Sequence, residues 1–481
     1  MRLSHLIKPE EIISPEALTD MEIGKPVFDL QKLSKKDLVF CEADRNAADF
    51  AKKASDRGAS AVVTTREGAK RIGTLSIPVI EVENVRKSYS LAWCRYENEP
   101  SRGLRLIAIT GTNGKTSVAS FLHTLLNAAG IPTGLIGTVE YTAGETHLHS
   151  AYTTPPPDIL YPLLREMKES GVTTVVMEAS SHAIAQHRLY GLHFATAVFT
   201  NLSRDHLDYH KTWEAYRDTK ALLFANADNA VINLGDKQAR YMGSSSSGNV
   251  YYYGRKPEAD FYMENPICDG KTVRYSLRTE TDTLKIQFPA VGDFHVENSA
   301  AAIACALIEG ISPQTIEASA RCLHTPTGRM ERIPLDTDFS VYIDYAHSPE
   351  ALEKALKSLR PLTSKLTVLF GAGGDRDKGK RPEMGAIAET LADLVILTSD
   401  NPRGESPEQI LDDIEKGMQK HNHLRVSDRR EAILLALKQA ESGEILLLAG
   451  KGHENYTIDQ NGKHAFSEKE IIKNALGNEI A

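Results

Sequence analysis

The 481-residue sequence has no C-x-x-C pair among its five cysteines. Cys41, Cys94, Cys268, Cys305 and Cys322 are scattered and odd in number, which argues against a disulfide framework or a zinc site and fits reduced thiols in a cytoplasmic protein. No apolar run approaches the length of a membrane span, and the first residues lack the basic-then-apolar pattern of a signal segment. The expectation is a cytoplasmic chain with no membrane partner. An excess of positive charge is missing too. Lys and Arg total 56 against 64 Asp and Glu, a net charge of −8, so nucleic acid is not an expected partner, although local basic pockets can still meet free nucleotides. Two glycine patterns are also incomplete. Ile109 stands where the standard Walker A spacing wants its first glycine, and Arg376 holds the last position of a G-x-G-x-x-G, which argues against a dinucleotide site.

What is present centres on Leu104–Ala129, LRLIAITGTNGKTSVASFLHTLLNAA. Leu104 to Ile109 is a short apolar run that reads as a buried strand. Gly111, Thr112, Asn113 and Gly114 form a tight turn into Lys115, Thr116 and Ser117, and the following residues place Val118, Phe121, Leu122 and Leu125 on one helix face. Strand, glycine turn, Lys-Thr and helix make a phosphate cradle of a shorter variant type. Glycine lets the backbone N–H groups approach an anion, the helix N-terminus adds its dipole, Lys115 supplies a point charge and Thr116 a hydroxyl for magnesium.

At 41% apolar and 25% charged residues the composition is that of a globular protein, and the length calls for about three domains. Residues 1–100 read as a small α/β unit with strands near Asp37–Cys41, Ala59–Thr65 and Ile77–Val82, and Asn98–Gly103 reads as a linker. Residues 101–331 form a central unit. In it Val172–Met177 runs into Glu178-Ala-Ser-Ser-His182, and Thr196–Thr200 runs into Asn201-Leu-Ser-Arg-Asp-His206. Residues 250–290 alternate like antiparallel strands. Residues 332–481 repeat strand–helix units whose strands end in polar loops at Tyr345–Pro349, Gly371–Asp377, Asp400–Arg403 and Gly450–Glu454. The expected class is α/β, with a central P-loop domain and a C-terminal Rossmann-like domain whose site lies along the carboxyl edge of its sheet. Glu178 and His206, expected at the ends of neighbouring strands, are candidate metal ligands together with Thr116.

The series TGTNGKT, TTPPP, EASSH, NLSRDHLDYH, the lysine of RDTKALLF, TGRME, DYAHSP, GGDRDKGKRP, DNPR and GKGHE resembles the Mur ligase family in content and order, from about residue 104 to 470. The resemblance implies three domains: one for a UDP-sugar, a central ATPase and a Rossmann-like domain for the incoming amino acid. It implies an ATP- and Mg2+-dependent amide ligase. ATP phosphorylates the D-glutamyl carboxylate of UDP-N-acetylmuramoyl-L-alanyl-D-glutamate, and the amine of a diamino acid attacks the acyl phosphate after domain closure. The catalytic set it implies is Lys115, His206 and Lys220, with Lys220 carbamylated and joining Thr116, Glu178 and His206 around metal. Asn298, Arg329, Asp344 and His347 would frame the adenosine, while Asn298 is open to a second reading as the cap of the helix it begins. Thr153, Thr154, Ser180, Gln186 and Arg188 would contact the acceptor.

Arg376, Asp400, Asn401, Pro402, Arg403, Gly450 and Glu454 would hold the amino acid. By the same resemblance, members that add meso-diaminopimelate carry Asp-Asn-Pro-Arg. The distal carboxylate of that substrate pairs with an arginine fork, and lysine has no such group. The N-terminal region departs from the family pattern, with Asp29-Leu30-Gln31 in place of Asp-Ser-Arg and an altered Cys41–Asn46 segment, so uridine is to be held by other residues or the carrier differs. His295 replaces a usual asparagine. The competing readings are a ligase for another carrier or for L-lysine, and a catalytically silent relative. The implied enzyme is a monomer acting on small molecules.

Overall fold

The computed structural model describes residues 1–13, 20–144 and 146–477. Among these residues the strands form three main sheets and a two-stranded hairpin.

The first sheet is wholly parallel, with β1 (Pro26–Val27), β2 (Leu38–Phe40), β3 (Ala61–Thr64) and β4 (Val79–Glu81) side by side in that order. Helix Ala47–Asp56 covers one face through Ala47, Ala51 and Ala54, small residues that let it lie close. On the other face helix Val85–Tyr96 is shared with the next unit. Tyr89, Ala92 and Trp93 belong to one apolar core with Leu160, Tyr161 and Leu164 of helix Pro157–Glu169. The Ser90 hydroxyl donates to the Tyr190 carbonyl at 2.9 Å, and Tyr161 Oη donates to the same carbonyl at 3.0 Å. The polar stretch near residue 100 thus separates two sheets but not two cores.

The central sheet contains β5 (Arg105–Thr110), β6 (Thr133–Ile136), β7 (Glu140–Ala143), β8 (Thr146–His149), β9 (Thr174–Glu178), β10 (Phe194–Phe199), β11 (Ala227–Asn233), β12 (Asn249–Gly254), β13 (Phe261–Cys268), β14 (Thr272–Arg278) and β15 (Thr283–Pro289). Its order is β15-β14-β13-β12-β11-β10-β5-β9-β6-β7-β8. From β13 through β6 the strands are parallel, and the meanders at the two ends are antiparallel. The antiparallel reading of residues 250–290 therefore holds for β13–β15 and fails for β12. A crossover through helix Ala239–Ser244 brings β12 back parallel to β11. Helix Lys115–Ala128 packs on this sheet against helix Phe294–Ile308, whose buried Ala300–Ala302, Ala304 and Ala306 permit the close approach. His295 is fully buried there against Phe121 and Phe294, and burial pushes its imidazole down to about 3.

In the third sheet β16 (Glu331–Ile333), β17 (Ser340–Asp344), β18 (Leu366–Phe370), β19 (Leu394–Leu397), β20 (His423–Arg425) and β21 (Ile445–Ala449) take the order β16-β17-β21-β18-β19-β20. Only β16 runs antiparallel to its neighbour. Apolar layers lie on both faces, as near-continuous hydrophobic strands such as LTVLF and ILLLA require. The loops after β17, β18, β19 and β21 emerge at one edge, where the hairpin of β22 (Tyr456–Asp459) and β23 (Gly462–Ala465) covers them.

Candidate functional site

The turn after β5 is built so that only glycine fits at two points. Gly111 has φ +150°, and a Cβ on it would stand 1.9 Å from Thr200 Oγ1. Gly114 has φ +88°, and its Cβ would stand 2.5 Å from Asn298 Oδ1. Thr112 N donates to the Asn201 carbonyl at 2.8 Å and Asn113 N to Asn201 Oδ1 at 2.9 Å, so these two amides fasten the turn to the loop after β10. The Thr112 hydroxyl is likewise engaged, with Tyr216 Oη at 3.0 Å and Ser203 N at 3.0 Å. The amides left to meet an anion are those of the first helical turn, at Lys115, Thr116 and Ser117, which have no intrahelical acceptor. Lys115 Nζ curls back to the carbonyls of Gly111 (2.9 Å) and Thr112 (3.0 Å), and burial lowers its pKa.

On one side of this turn lies a carboxylate held by hydroxyls. Thr116 Oγ1 donates to Glu178 Oε2 at 3.0 Å, Thr138 Oγ1 to the same oxygen at 3.0 Å, and Thr138 N to Glu178 Oε1 at 2.7 Å. Thr138 Oγ1 also lies 3.0 Å from Thr153 Oγ1, whose hydroxyl is free to donate to it. Thr154 donates to the Glu178 carbonyl at 2.7 Å and accepts from Ser180 N at 3.0 Å. Arg188 closes this group, donating to the Thr154 carbonyl at 2.6 Å and to Gln186 Oε1 at 2.8 Å.

On the other side stands His206, at φ +55° in the loop after β10. Glu178 ends β9, and β5 lies between β9 and β10, so the two candidate ligands flank the phosphate turn instead of ending adjacent strands. Consecutive strands need not be neighbours when helices carry the crossovers. His206 Nε2 lies 3.3 Å from Asp205 Oδ2, and burial drives the imidazole down to about 3, the neutral form that ligates metals. Burial works against the charge of Asp205, yet its contact with His347 and the surrounding cations hold the carboxyl well below the usual range. Lys220, 1% exposed on helix Trp213–Ala221, donates to the Gly111 carbonyl at 2.9 Å, and burial, with Lys115 beside it, pushes its ammonium far down.

The third sheet closes the cavity. Asp344 accepts from Met330 N at 2.6 Å and Ala346 N at 2.8 Å, tying its loop to the turn that carries Arg329. Arg329 donates to Thr116 Oγ1 at 3.1 Å and lies 4.5 Å over the ring of Tyr345. Asn298, with His347, lines the same cavity of about 480 Å³, which also contains Lys115, Glu178, His206 and Arg376. Its helix begins at Phe294, so Asn298 sits a turn inside and the reading as a cap is wrong. Further along the edge, Arg403 (φ +52°) and Arg376 both lie against Gly373, and Arg403 Nη1 donates to the Gly374 carbonyl at 3.0 Å. Burial and Arg376 lower the pKa of Arg403, so this is a place that favours an anion. Asn401 Nδ2 donates to Glu454 Oε2 at 2.8 Å, and Tyr345 Oη to Glu454 Oε1 at 3.4 Å. Burial, then Asp400, raise the Glu454 carboxyl. Gly450 (φ +111°) leaves room for Asp400, whose Oδ2 would lie 2.5 Å from a Cβ there, and the Pro402 carbonyl closes on Gly374.

Thr138, Asp205 and Tyr345 join the site without having been singled out in the sequence. Tyr345 and Asp205 sit inside the quoted motifs, but nothing marks them apart from their neighbours. No group of three His, Cys, Asp or Glu side chains is close enough to hold a metal among the described residues. The donor set beside the turn is a threonine hydroxyl, one carboxylate and one imidazole. That suits a magnesium ion completed by substrate phosphates, because Mg2+ dehydrates reluctantly and is commonly held by one or two carboxylates plus phosphate oxygens.

A second cavity of about 390 Å³ lies between the first two units, lined by Lys25, Phe28, Arg86, Trp93, Gln186 and Arg188 among others. Asp29 borders it, but its Oδ1 accepts from Gln31 N at 2.9 Å as the cap of a short helix.

The Mur ligase middle domain family matches residues 109–306, and the Mur ligase glutamate ligase domain family matches residues 328–452. The UDP-N-acetylmuramoyl-L-alanyl-D-glutamate--2,6-diaminopimelate ligase 1 of Clostridium acetobutylicum is 38% identical over 460 residues, 94% of each chain. The similarly named ligase of Chlorobium phaeobacteroides is 42% identical over 455 residues, 90% of this chain and 87% of that one. A solved structure of a UDP-N-acetylmuramoyl-L-alanyl-D-glutamate--2,6-diaminopimelate ligase has a TM-score of 0.70 at 32% identity and covers 99% of both chains.

Gly111→Ala tests the turn. The displaced loop should lower kcat/KM for ATP at least about a hundredfold while circular dichroism stays unchanged. Full activity in the folded variant would contradict the geometry described.

Proposed function

The chain belongs to the Mur ligase family, and on that premise we propose that it joins meso-diaminopimelate to the D-glutamyl carboxylate of UDP-N-acetylmuramoyl-L-alanyl-D-glutamate at the expense of ATP. The observation that carries the choice of amino acid is the pair Arg376 and Arg403 against Gly373, with Glu454 tied to the neighbouring Asn401. A diamino dicarboxylic acid brings a distal carboxylate for the guanidinium groups and a distal ammonium for Glu454. L-Lysine would leave two arginines crowded and unpaired.

In this reading residues 1–100 hold the nucleotide end of the acceptor, 101–331 bind ATP, and 332–481 bring the amino acid. The cavity between the first two units supports the first assignment. Phe28 offers a ring for a base, and Lys25, Arg86 and Arg188 offer charge for a diphosphate. These side chains take the place of the missing Asp-Ser-Arg.

The amides of the helix start and Lys115 hold the terminal phosphates, and Asn298, Arg329, Asp344 and His347 surround the remainder of the nucleotide. When bound, Mg2+ neutralises charge on the transferring phosphoryl group, and Thr116, Glu178, His206 and a carbamylated Lys220 would hold it. Burial and Lys115 lower the pKa of Lys220; its amine, in the neutral form, adds to CO2 and loses a proton, so that a carbamate anion stands beside Lys115. The acceptor carboxylate attacks the terminal phosphorus, ADP leaves, and an acyl phosphate forms. The neutral α-amine of the held amino acid then attacks its carbonyl carbon, phosphate departs, and the amide remains. Arg329 and Lys115 lie where negative charge develops. Closure of the domains over the cavity would limit competition from water.

Phosphate release measured with ATP and the acceptor should require meso-diaminopimelate and should be weak with L-lysine. Arg403→Ala should raise KM for diaminopimelate at least about thirtyfold, the worth of roughly 2 kcal/mol for a charged pair, and leave KM for ATP nearly unchanged. Equal use of both amino acids by the unaltered chain would overturn the assignment. Lys220→Ala should lose most activity and regain part of it with added formate or acetate; an unimpaired variant would remove the carbamate.

A further inference from the structure

Lys451 has no role in the chemistry described above, yet it is among the most deeply buried charged groups of the third unit. It stands two residues beyond β21, and its side chain is 1% exposed. Nζ donates to the Tyr456 carbonyl at 2.8 Å and to Asn401 Oδ1 at 3.2 Å. The carboxylates of Glu454 and Asp400 lie 3.8 and 3.9 Å away. The Phe466 ring closes the remaining side at 5.5 Å. Apart from that ring, every contact is to one of the three segments that build the amino-acid pocket: the loop after β19, the loop after β21 and the β22–β23 hairpin.

The arrangement fixes more than charge. Asn401 Oδ1 accepts from both Lys451 Nζ and Ile458 N (2.9 Å), so its amide has one permitted orientation. The other end, Nδ2, is then obliged to donate to Glu454 Oε2 at 2.8 Å. Turning the amide over would set an NH2 group against an ammonium and a backbone N–H, with nothing to accept from either. One Glu454 oxygen is thereby tied down, and the other is directed to Tyr345 Oη and the cavity. Burial, then the neighbouring Asp400, raise the Glu454 carboxyl, and the Lys451 ammonium 3.8 Å away works against that rise.

We propose that Lys451 is a positioning residue for amino-acid specificity: its buried side chain sets the Asn401 amide and, through it, aims Glu454 at the distal ammonium of the incoming diamino acid. The proposal rests on the reading of this pocket as the diaminopimelate site. Lys451 touches no substrate and lies outside the phosphate turn, so its loss acts on one substrate only.

The test compares steady-state constants of the full chain with Lys451→Met and Lys451→Gln, using ATP, the UDP-linked dipeptide acceptor and meso-diaminopimelate. Lys451→Met should raise KM for diaminopimelate at least about tenfold, with kcat and the KM values for ATP and acceptor within about twofold. Lys451→Gln restores the two hydrogen bonds without the charge and should recover part of that loss. A KM for diaminopimelate unchanged in both variants, or KM values rising together for all three substrates, would overturn the proposal. Should the methionine variant fail to fold, the glutamine variant decides by the same comparison against the unaltered chain. An unaltered chain that forms no amide from these three substrates overturns the reading of the pocket and the proposal with it, whereas an active one with indifferent variants overturns the proposal alone.

Discussion

Two buried amines, Lys115 and Lys220, both reach the carbonyl of Gly111 at 2.9 Å. This convergence is the constraint around which the site is arranged. Burial makes each ammonium costly, and Lys115 makes that of Lys220 more so. The fold tolerates the cost because the turn is rigid. Two glycines fill places a side chain cannot, and two amides and a hydroxyl pin the turn to the loop after β10. A preorganised cationic centre of this kind suits polyanions, and converting one lysine to a carbamate turns part of it into a metal site. Glu178 and the neutral His206 then stand on either side of the turn, where they bracket whatever the turn holds.

The centre alone would be a nucleotide site of no particular specificity. The third sheet changes that by bringing the loops after β17 and β18 to the same cavity. Arg329 reaches across to Thr116, and Arg204 of the loop after β10 pairs with Asp377 at 2.9 Å, so the two sheets meet edge to edge over the turn. Tyr345 sits between the halves, under the Arg329 guanidinium and against Glu454. Phosphate chemistry and amino-acid selection thus share side chains, which is the arrangement a ligase needs if the activated carboxyl is to meet an amine before water does.

Much of this was legible in the chain itself. Runs such as RLIAIT, TVVME and ILLLA read as buried parallel strands because they are apolar throughout, and each is followed by a polar loop. The turn at 110–116 was legible because glycine, lysine and threonine have separate jobs there. The order of strands was not, since a helical crossover carries no record of which neighbour it reaches, and so Glu178 and His206 were expected side by side. Asn298 read as a possible cap because the start of its helix was placed four residues late. Thr138, Asp205 and Lys451 carry no local signal; their importance lies in partners distant along the chain, as with Lys451 and Asn401 or Asp205 and His347. The cavity between the first two units was illegible for the same reason, its wall running from Lys25 to Arg188.

The central claim is that the acceptor carboxyl is activated as an acyl phosphate before the amine attacks. The most direct measurement is isotope transfer. With both oxygens of the D-glutamyl carboxylate labelled with 18O, the account predicts that each phosphate released in the presence of meso-diaminopimelate carries one labelled oxygen and that the new amide keeps the other. Phosphate free of label, formed in step with amide, would contradict it.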